Sequence, residues 1–325
     1  MALVYVYRFQ NANLRLTEEE FRAEHAARPG LIPIELDAFQ RIALWLDLND
    51  YHCHDGSFRR SLATYEALRA GAPGPSELWR CTSSLDFLRS APHASDCLSP
   101  TGFIFHAGRC GSTLLAKVIA RSHEHMVFGE GGPHNHIWPV IAGGRDSAPM
   151  LFQNLLFHTG RPRLRSYRAH IVKFTSFTIV QFEIIRAAFP QVPVLFLFRR
   201  PAEILASYRR AMPSWIGRDT GIGTIWHSAE TAVADFFQHA LLAGESLKCL
   251  DYEDLTPRML PAILHIFNLD PPPGDLELMR TEFSWDAKSN RRWSHRPATS
   301  IESEPATPPD LLALYRELSS RKIRY

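Results

Sequence analysis

The stretch that most restricts the fold of this 325-residue chain starts at Thr101. A short apolar run, Phe103–Phe105, leads into His106-Ala107-Gly108-Arg109-Cys110-Gly111-Ser112-Thr113. Leu114, Leu115, Val118 and Ile119 then recur at helical spacing. The pattern predicts a strand, a glycine loop and a helix in direct succession. Glycines at 108 and 111 let the backbone wrap closely around an anion. Successive N–H groups at a helix N-terminus favour negative charge. Ser112 and Thr113 add hydroxyl donors, and Arg109 adds a forked cation.

Further strands are predicted at His170–Phe174, Val192–Phe198 and Ser246–Asp251. The second is apolar throughout and reads as buried on both faces. Helical patterns cover Thr178–Ala188, Pro201 to about Ala211, Ile225–Ala243 and Pro257–Phe267, with a last helix near Asp310–Ser320. Strands alternating with helices imply a parallel sheet covered on both sides. The expected fold class is α/β: a three-layer, P-loop-like fold over residues 101–325. Residues 1–100 read as an N-terminal α+β appendage of unknown role, carrying no chemical motif. There, Ala2–Phe9 and Arg41–Leu48 are predicted strands and Ser57–Ala70 a helix. Thr17 and Glu20 have capping-box spacing. His52, His54 and Trp79 are assigned to packing or surface.

Composition excludes several classes. Lys and Arg number 36 against 34 Asp and Glu, a net charge of +2. That lacks the basic footprint of a general nucleic-acid binder. No apolar run reaches the roughly 20 residues of a membrane span. The opening MALVYVYRFQ is broken by Arg8, so no secretory signal is expected. Five cysteines, an odd number with no C-x-x-C, predict neither a disulfide framework nor a cysteine zinc site. A cytoplasmic protein without membrane or nucleic-acid partners is expected, and a homodimer is left open.

The loop departs from a nucleoside-triphosphatase in two places. A Walker A loop needs Lys where Ser112 stands, and Lys117 is too far along the helix to replace it. A neighbouring strand should end in a carboxylate for Mg²⁺. The strand Val192–Phe198 instead runs into Arg199 and Arg200. The pattern suits a site that neutralises anions with protein cations alone.

These residues resemble the family of sulfotransferases that use 3′-phosphoadenosine 5′-phosphosulfate (PAPS). The family loop P-[KR]-S-G-T-T is similar to Gly108-Arg109-Cys110-Gly111-Ser112-Thr113. The resemblance implies that Arg109, Cys110, Gly111, Ser112 and Thr113 hold the 5′-phosphosulfate. A strand-end Arg followed eight residues later by Ser is matched by Arg199 and Ser207, which by resemblance bind the 3′-phosphate. Leu250-Asp251-Tyr252-Glu253-Asp254-Leu255 looks like a strand-end Y-E-D-L, with Tyr252 near the adenine. Ala287–Arg292 resembles a late loop that closes on the nucleotide, implicating Ser289 and Arg291, with Lys288 and Arg292 beside them. The likeness spans about residues 102–270 and reaches weakly into that late loop. The implied cosubstrate is PAPS, with 3′,5′-ADP as product and a hydroxyl-bearing small molecule, sugar or peptide as acceptor.

An in-line displacement of this kind needs positioning, charge stabilisation and a base for the attacking hydroxyl. The cytosolic type takes its base from a K-T-H segment, whereas this chain reads Lys173-Phe174-Thr175. Phe128-Gly129-Glu130-Gly131-Gly132 instead resembles the G-E segment of the tyrosylprotein and glycan types. The resemblance thus points to a bacterial-type member with Glu130 as general base. A partly desolvated pocket is expected to raise the pKa of Glu130. Lys173 stabilises the leaving oxygen by resemblance, and Arg109 completes the catalytic set. No metal is expected. His134 and His136 are read as lining the substrate pocket. Arg161–Arg168, four arginines in eight residues, reads as a solvated loop or a contact for an acidic acceptor. The competing readings are a P-loop small-molecule kinase and a non-catalytic nucleotide-binding relative.

Overall fold

The structure is a computed structural model that describes residues 14–71, 78–142, 144–285, 292 and 307–323. The predicted strand Ala2–Phe9 lies outside these residues. Two sheets organise the chain. The first contains β1 (Leu14–Arg15), β2 (Leu31–Asp37), β3 (Ile42–Asp47) and β4 (Arg80–Ser84), in the order β1-β4-β3-β2. Helices α1 (Glu18–Ala27) and α2 (Phe58–Gly71) accompany it. Helix α1 starts at the expected capping box: Glu20 N–H donates to the Thr17 hydroxyl, and Thr17 N–H donates to the Glu20 carboxylate. Strands β2 and β4 have no counterpart in the sequence reading. Pro33 masks β2, but it falls at a register shift between Pro33 and Glu35, where a missing N–H is tolerated.

The second sheet is built by β5 (Gly102–His106), α3 (Ser112–Ile119), β6 (His125–Gly129), α4 (Gly132–Ile141), α5 (Ala148–Thr159), β7 (Ala169–Lys173), α6 (Phe182–Ala188) and β8 (Val194–Phe198). It continues through α7 (Pro201–Arg210), α8 (Ala229–Leu242), β9 (Lys248–Asp251), α9 (Leu260–Ile266), α10 (Pro273–Glu282) and α11 (Pro309–Ser320). Its five strands are parallel throughout, in the order β6-β7-β5-β8-β9. Strand β6 has no counterpart in the sequence reading. The predicted helix from Thr178 opens as a 3₁₀ segment, Ser176–Gln181, before α6. Helices α4, α5 and α10 were not foreseen.

Side chains alternate across this sheet. Phe103, Phe105, Val172, Phe196 and Phe198 enter one apolar cluster, with Phe152 of α5, Ile185 of α6 and Phe236 of α8. Ile104, Ile171, Leu195 and Leu197 enter another, with Leu115 of α3 and Ile263 of α9. The result is a three-layer α/β arrangement, helices on both faces of a central parallel sheet.

The first sheet shares this core. Phe21, Leu31, Trp45 and Cys81 belong to the same cluster as Ile137 and Phe152. Arg161 is only 3% exposed, and it donates to the carbonyls of His25, Arg28 and Leu31. Arg163 donates to the carbonyl of Tyr51. These two arginines of the basic run are therefore seam residues, a correction to the solvated-loop reading. On the other face of the first sheet, Phe58 stacks on Phe128 of β6 with ring centroids 4.1 Å apart. Burying that pair stabilises the seam by roughly 3–6 kcal/mol. It also fixes the segment before α2 above the carboxyl end of β6.

Candidate active site

In an all-parallel sheet the carboxyl ends of all strands share one edge, where open α/β sheets bind ligands. His106, Gly129, Lys173, Phe198 and Asp251 end their strands there. The loop after β5, the central strand, turns through three left-handed residues: Gly108 (φ 85°), Arg109 (φ 55°) and Gly111 (φ 80°). A Cβ on Gly108 would stand 1.9 Å from the Tyr208 hydroxyl oxygen. No other residue fits without moving Tyr208, so the tight turn is fixed by packing. Helix α3 then opens with Ser112 and Thr113, its N-terminus at this edge.

Lys173 and Glu130 arrive from neighbouring strands. Gly129 pairs with Lys173 in the β6–β7 ladder, and the Glu130 N–H donates to the Lys173 carbonyl at 2.7 Å. Glu130 then turns into the left-handed region, φ 50°, which sends its side chain back across the strand ends. Its Oε1 lies 2.8 Å from Lys173 Nζ. Lys173 is fully buried, and its ammonium also donates to the Gly56 carbonyl at 3.0 Å and the Thr113 hydroxyl at 3.3 Å. A Cβ on Gly129 would fall 2.5 Å from that same Gly56 carbonyl oxygen. The glycine beside Glu130 thus makes room for a segment of the N-terminal region.

The charge state of Glu130 corrects the sequence expectation. Burial pushes its carboxyl up, but the Lys173 ammonium and the His106 imidazole outweigh burial and hold it well below the usual carboxylate range. A partner cation at contact distance wins over partial desolvation. Glu130 is therefore an anion at working pH. His106, at the end of β5, is buried, and burial lowers its pKa. Its Nδ1 accepts the Gly108 N–H at 3.0 Å, so the neutral ring carries its proton on Nε2. That nitrogen lies 3.4 Å from Glu130 Oε1.

The other predicted residues flank this centre. Arg199 Nε donates to Glu203 Oε2 at 2.7 Å, and its guanidinium lies 4.3 Å over the Tyr252 ring. Tyr252 in turn borders the loop, its ring edge 2.8 Å from where a Gly111 Cβ would stand. Ser207 lies two turns along α7 from Arg199, half-buried on the face that carries Glu203. The Arg109 guanidinium donates to the Ala211 carbonyl and sits 5.5 Å over the Tyr208 ring, so it is turned towards the end of α7. The Cys110 side chain faces the core. Its thiol donates to the Leu197 carbonyl, and burial pushes it up to about 12. Only its backbone remains for a ligand.

The reading of His134 is not met. His134 is buried, its Nε2 paired with the Thr159 hydroxyl and its ring 4.5 Å from Phe128, so it packs the core. Among the described residues no group of three or more His, Cys, Asp or Glu could hold a metal ion. Ser289 and Arg291, with Lys288, lie outside the described residues. Three contributors were missed. Gly56 acts through a backbone carbonyl, which leaves no side-chain signature. His106 was read only as part of the loop. Glu203 stands four residues after Arg199, an i,i+4 pairing that the sequence does display. A cleft of about 480 Å³ lies at the opposite edge of the sheet, near Val194, Lys248 and Arg186, and contains none of these residues.

No family model matches the chain. No curated protein matches its sequence. Solved structures do match. A sulfotransferase domain from the curacin biosynthetic pathway is 14% identical, over 69% of this chain and 98% of that one, with a TM-score of 0.41. The mouse sulfotransferase SULT7A1 complexed with PAP is 15% identical, over 74% of this chain and 88% of its own, with a TM-score of 0.38. A sulfotransferase from Alicyclobacillus acidocaldarius is 15% identical, over 69% and 94%, with a TM-score of 0.38. At these scores and identities the likeness does not assign an activity.

Proposed function

We propose that this protein transfers a sulfonate group from PAPS to a hydroxyl acceptor by in-line displacement, using protein cations rather than a metal. The observation that carries the reading is the Lys173–Glu130 pair, 2.8 Å apart at the strand ends beside the glycine loop. A cation for the leaving oxygen and a carboxylate for the attacking hydroxyl thus stand next to an anion-binding helix N-terminus. The strand beside β5 that would carry a metal carboxylate in a phosphoryl transferase is followed by Arg199 and Arg200.

In this reading the backbone N–H groups of the loop and of the first turn of α3 hold the 5′-phosphosulfate. Lys173 neutralises charge on the bridging oxygen as the S–O bond to the nucleotide breaks. The acceptor oxygen forms its bond to sulfur and passes its proton to Glu130, leaving 3′,5′-ADP. Tyr252 borders the nucleotide. Arg199 and Ser207 take the 3′-phosphate, for which the phosphate must displace Glu203 from Arg199. The acceptor is a small molecule, a sugar or a peptide bearing a hydroxyl. No described helix is long and apolar enough to cross a membrane.

Thermal unfolding with nucleotides tests the reading. A ligand that binds only the folded state raises the melting temperature by mass action. 3′,5′-ADP is expected to raise it more than ADP or ATP at equal concentration. Equal shifts with ADP would remove the 3′-phosphate assignment and favour the kinase.

A further inference from the structure

Lys173 has three N–H donors and three protein acceptors: Gly56 O, Thr113 Oγ1 and Glu130 Oε1. An anion can reach the ammonium only by displacing one of them. Gly56 is held by the backbone wedge against Gly129 and by the Phe58–Phe128 stack beside it. Thr113 is fixed in the first turn of α3. Glu130 is the acceptor with freely rotating side-chain bonds, and it is 32% exposed.

His106 waits beside it. Its side chain is 6% exposed, and its Nε2 has no hydrogen-bond partner although it lies 3.4 Å from Glu130 Oε1. The Gly108 N–H on Nδ1 puts the ring proton on Nε2, so the orphan is a donor aimed at the carboxylate. A buried donor without a full hydrogen bond is costly, and the acceptors that face this ring are the Glu130 carboxylate and the Phe174 backbone carbonyl, of which only the carboxylate can move towards it.

We propose that the Glu130 carboxylate has two seats, Lys173 and His106, and that His106 is a positioning residue that receives it when an anion takes its place on Lys173. The inference deepens the sulfonate-transfer reading and rests on it for the identity of the anion. In the second seat the carboxylate keeps a neutral donor and loses its cation, which makes it a stronger base while the sulfonyl donor is bound. Because the Gly108 N–H sets the tautomer, the anion-binding loop itself holds the second seat ready.

The experiment uses the full chain labelled with ¹⁵N-histidine, with the His106 signal assigned by its loss in His106→Gln. The free protein is expected to show the Nε2–H tautomer. Inorganic sulfate or 3′,5′-ADP should each move the Nε2 proton downfield, and neither should do so in Glu130→Ala. An Nδ1–H tautomer overturns the proposal. So does the absence of any response to both. A response to sulfate but not to 3′,5′-ADP upholds the second seat and removes the PAPS reading. Turnover provides the other arm. His106→Asn keeps an acceptor for Gly108 but loses the donor, and a misplaced group of this kind costs on the order of 10²-fold in kcat. Its affinity for 3′,5′-ADP should stay near wild type. His106→Gln offers a donor at the Nε2 position and should recover most of that loss. Equal losses in the two variants overturn the proposal.

Discussion

Replacing Lys173 by Met removes the fully buried cation beside Glu130 while keeping a side chain of similar length. Breaking a buried ion pair by removing one partner costs about 3–5 kcal/mol when both ions are buried. Lys173 is fully buried, but Glu130 is 32% exposed, so water takes up part of the loss. The expected cost is about 2–3 kcal/mol at pH 7, or roughly 3–4 °C in melting temperature for a chain of this size. The pH dependence carries the stronger test. In the wild type, Lys173 and His106 overcome burial and hold the Glu130 carboxyl low. A carboxyl depressed in the folded state adds stability above its unfolded pKa, about 4.3, and loses it as pH falls through the folded value. In Lys173→Met burial dominates and the carboxyl rises. The folded variant then takes up the proton first and becomes less stable as pH rises. The gap between the two proteins should therefore be widest near pH 7 and shrink towards pH 4. Urea unfolding at the two pH values measures it. A gap independent of pH, or none at pH 7, would show that Lys173 and Glu130 are not coupled as described.

Two further outcomes are expected. Gly108→Ala should destabilise by about 2 kcal/mol or more, because its Cβ would meet the Tyr208 hydroxyl at 1.9 Å at a φ of 85°. Removing that oxygen with Tyr208→Phe should recover part of the loss in a double-mutant urea series, and strictly additive losses would count against the clash. Glu130→Gln should cut turnover on the order of 10²–10⁴-fold and leave 3′,5′-ADP affinity nearly unchanged. Because the free enzyme holds this carboxyl low, the acidic limb of kcat/KM should lie below the ordinary value of 4.5 rather than near neutrality.

What the sequence made legible follows from where the information sits. The strand, loop and helix around Gly108 and Gly111 were readable because glycine spacing and apolar periodicity are both local signals. Val194–Phe198 was readable as a continuous apolar run. Strand β6 was not, because His125–Gly129 is short and ends among three glycines that resemble a loop. Those glycines answer to close packing instead: Gly129 against the Gly56 carbonyl and Gly131 against the Phe128 ring. The identity of Glu130 and Lys173 as site residues was readable by resemblance, but their charge state depends on a 2.8 Å contact between strands far apart in sequence. Gly56 was invisible because a backbone carbonyl has no residue type. Buried Arg161 and half-buried Arg163 misled for the opposite reason, since a run of charge usually marks a solvated loop.

The most direct test of the proposed chemistry is incubation of the full chain with sulfur-labelled PAPS, EDTA and a panel of phenols, sugars and tyrosine peptides. The account predicts label on one class of acceptor, release of 3′,5′-ADP in equal amount, and loss of both in Glu130→Gln. Label that stays on the nucleotide with every acceptor, or transfer that stops with EDTA and returns with Mg²⁺, would contradict it.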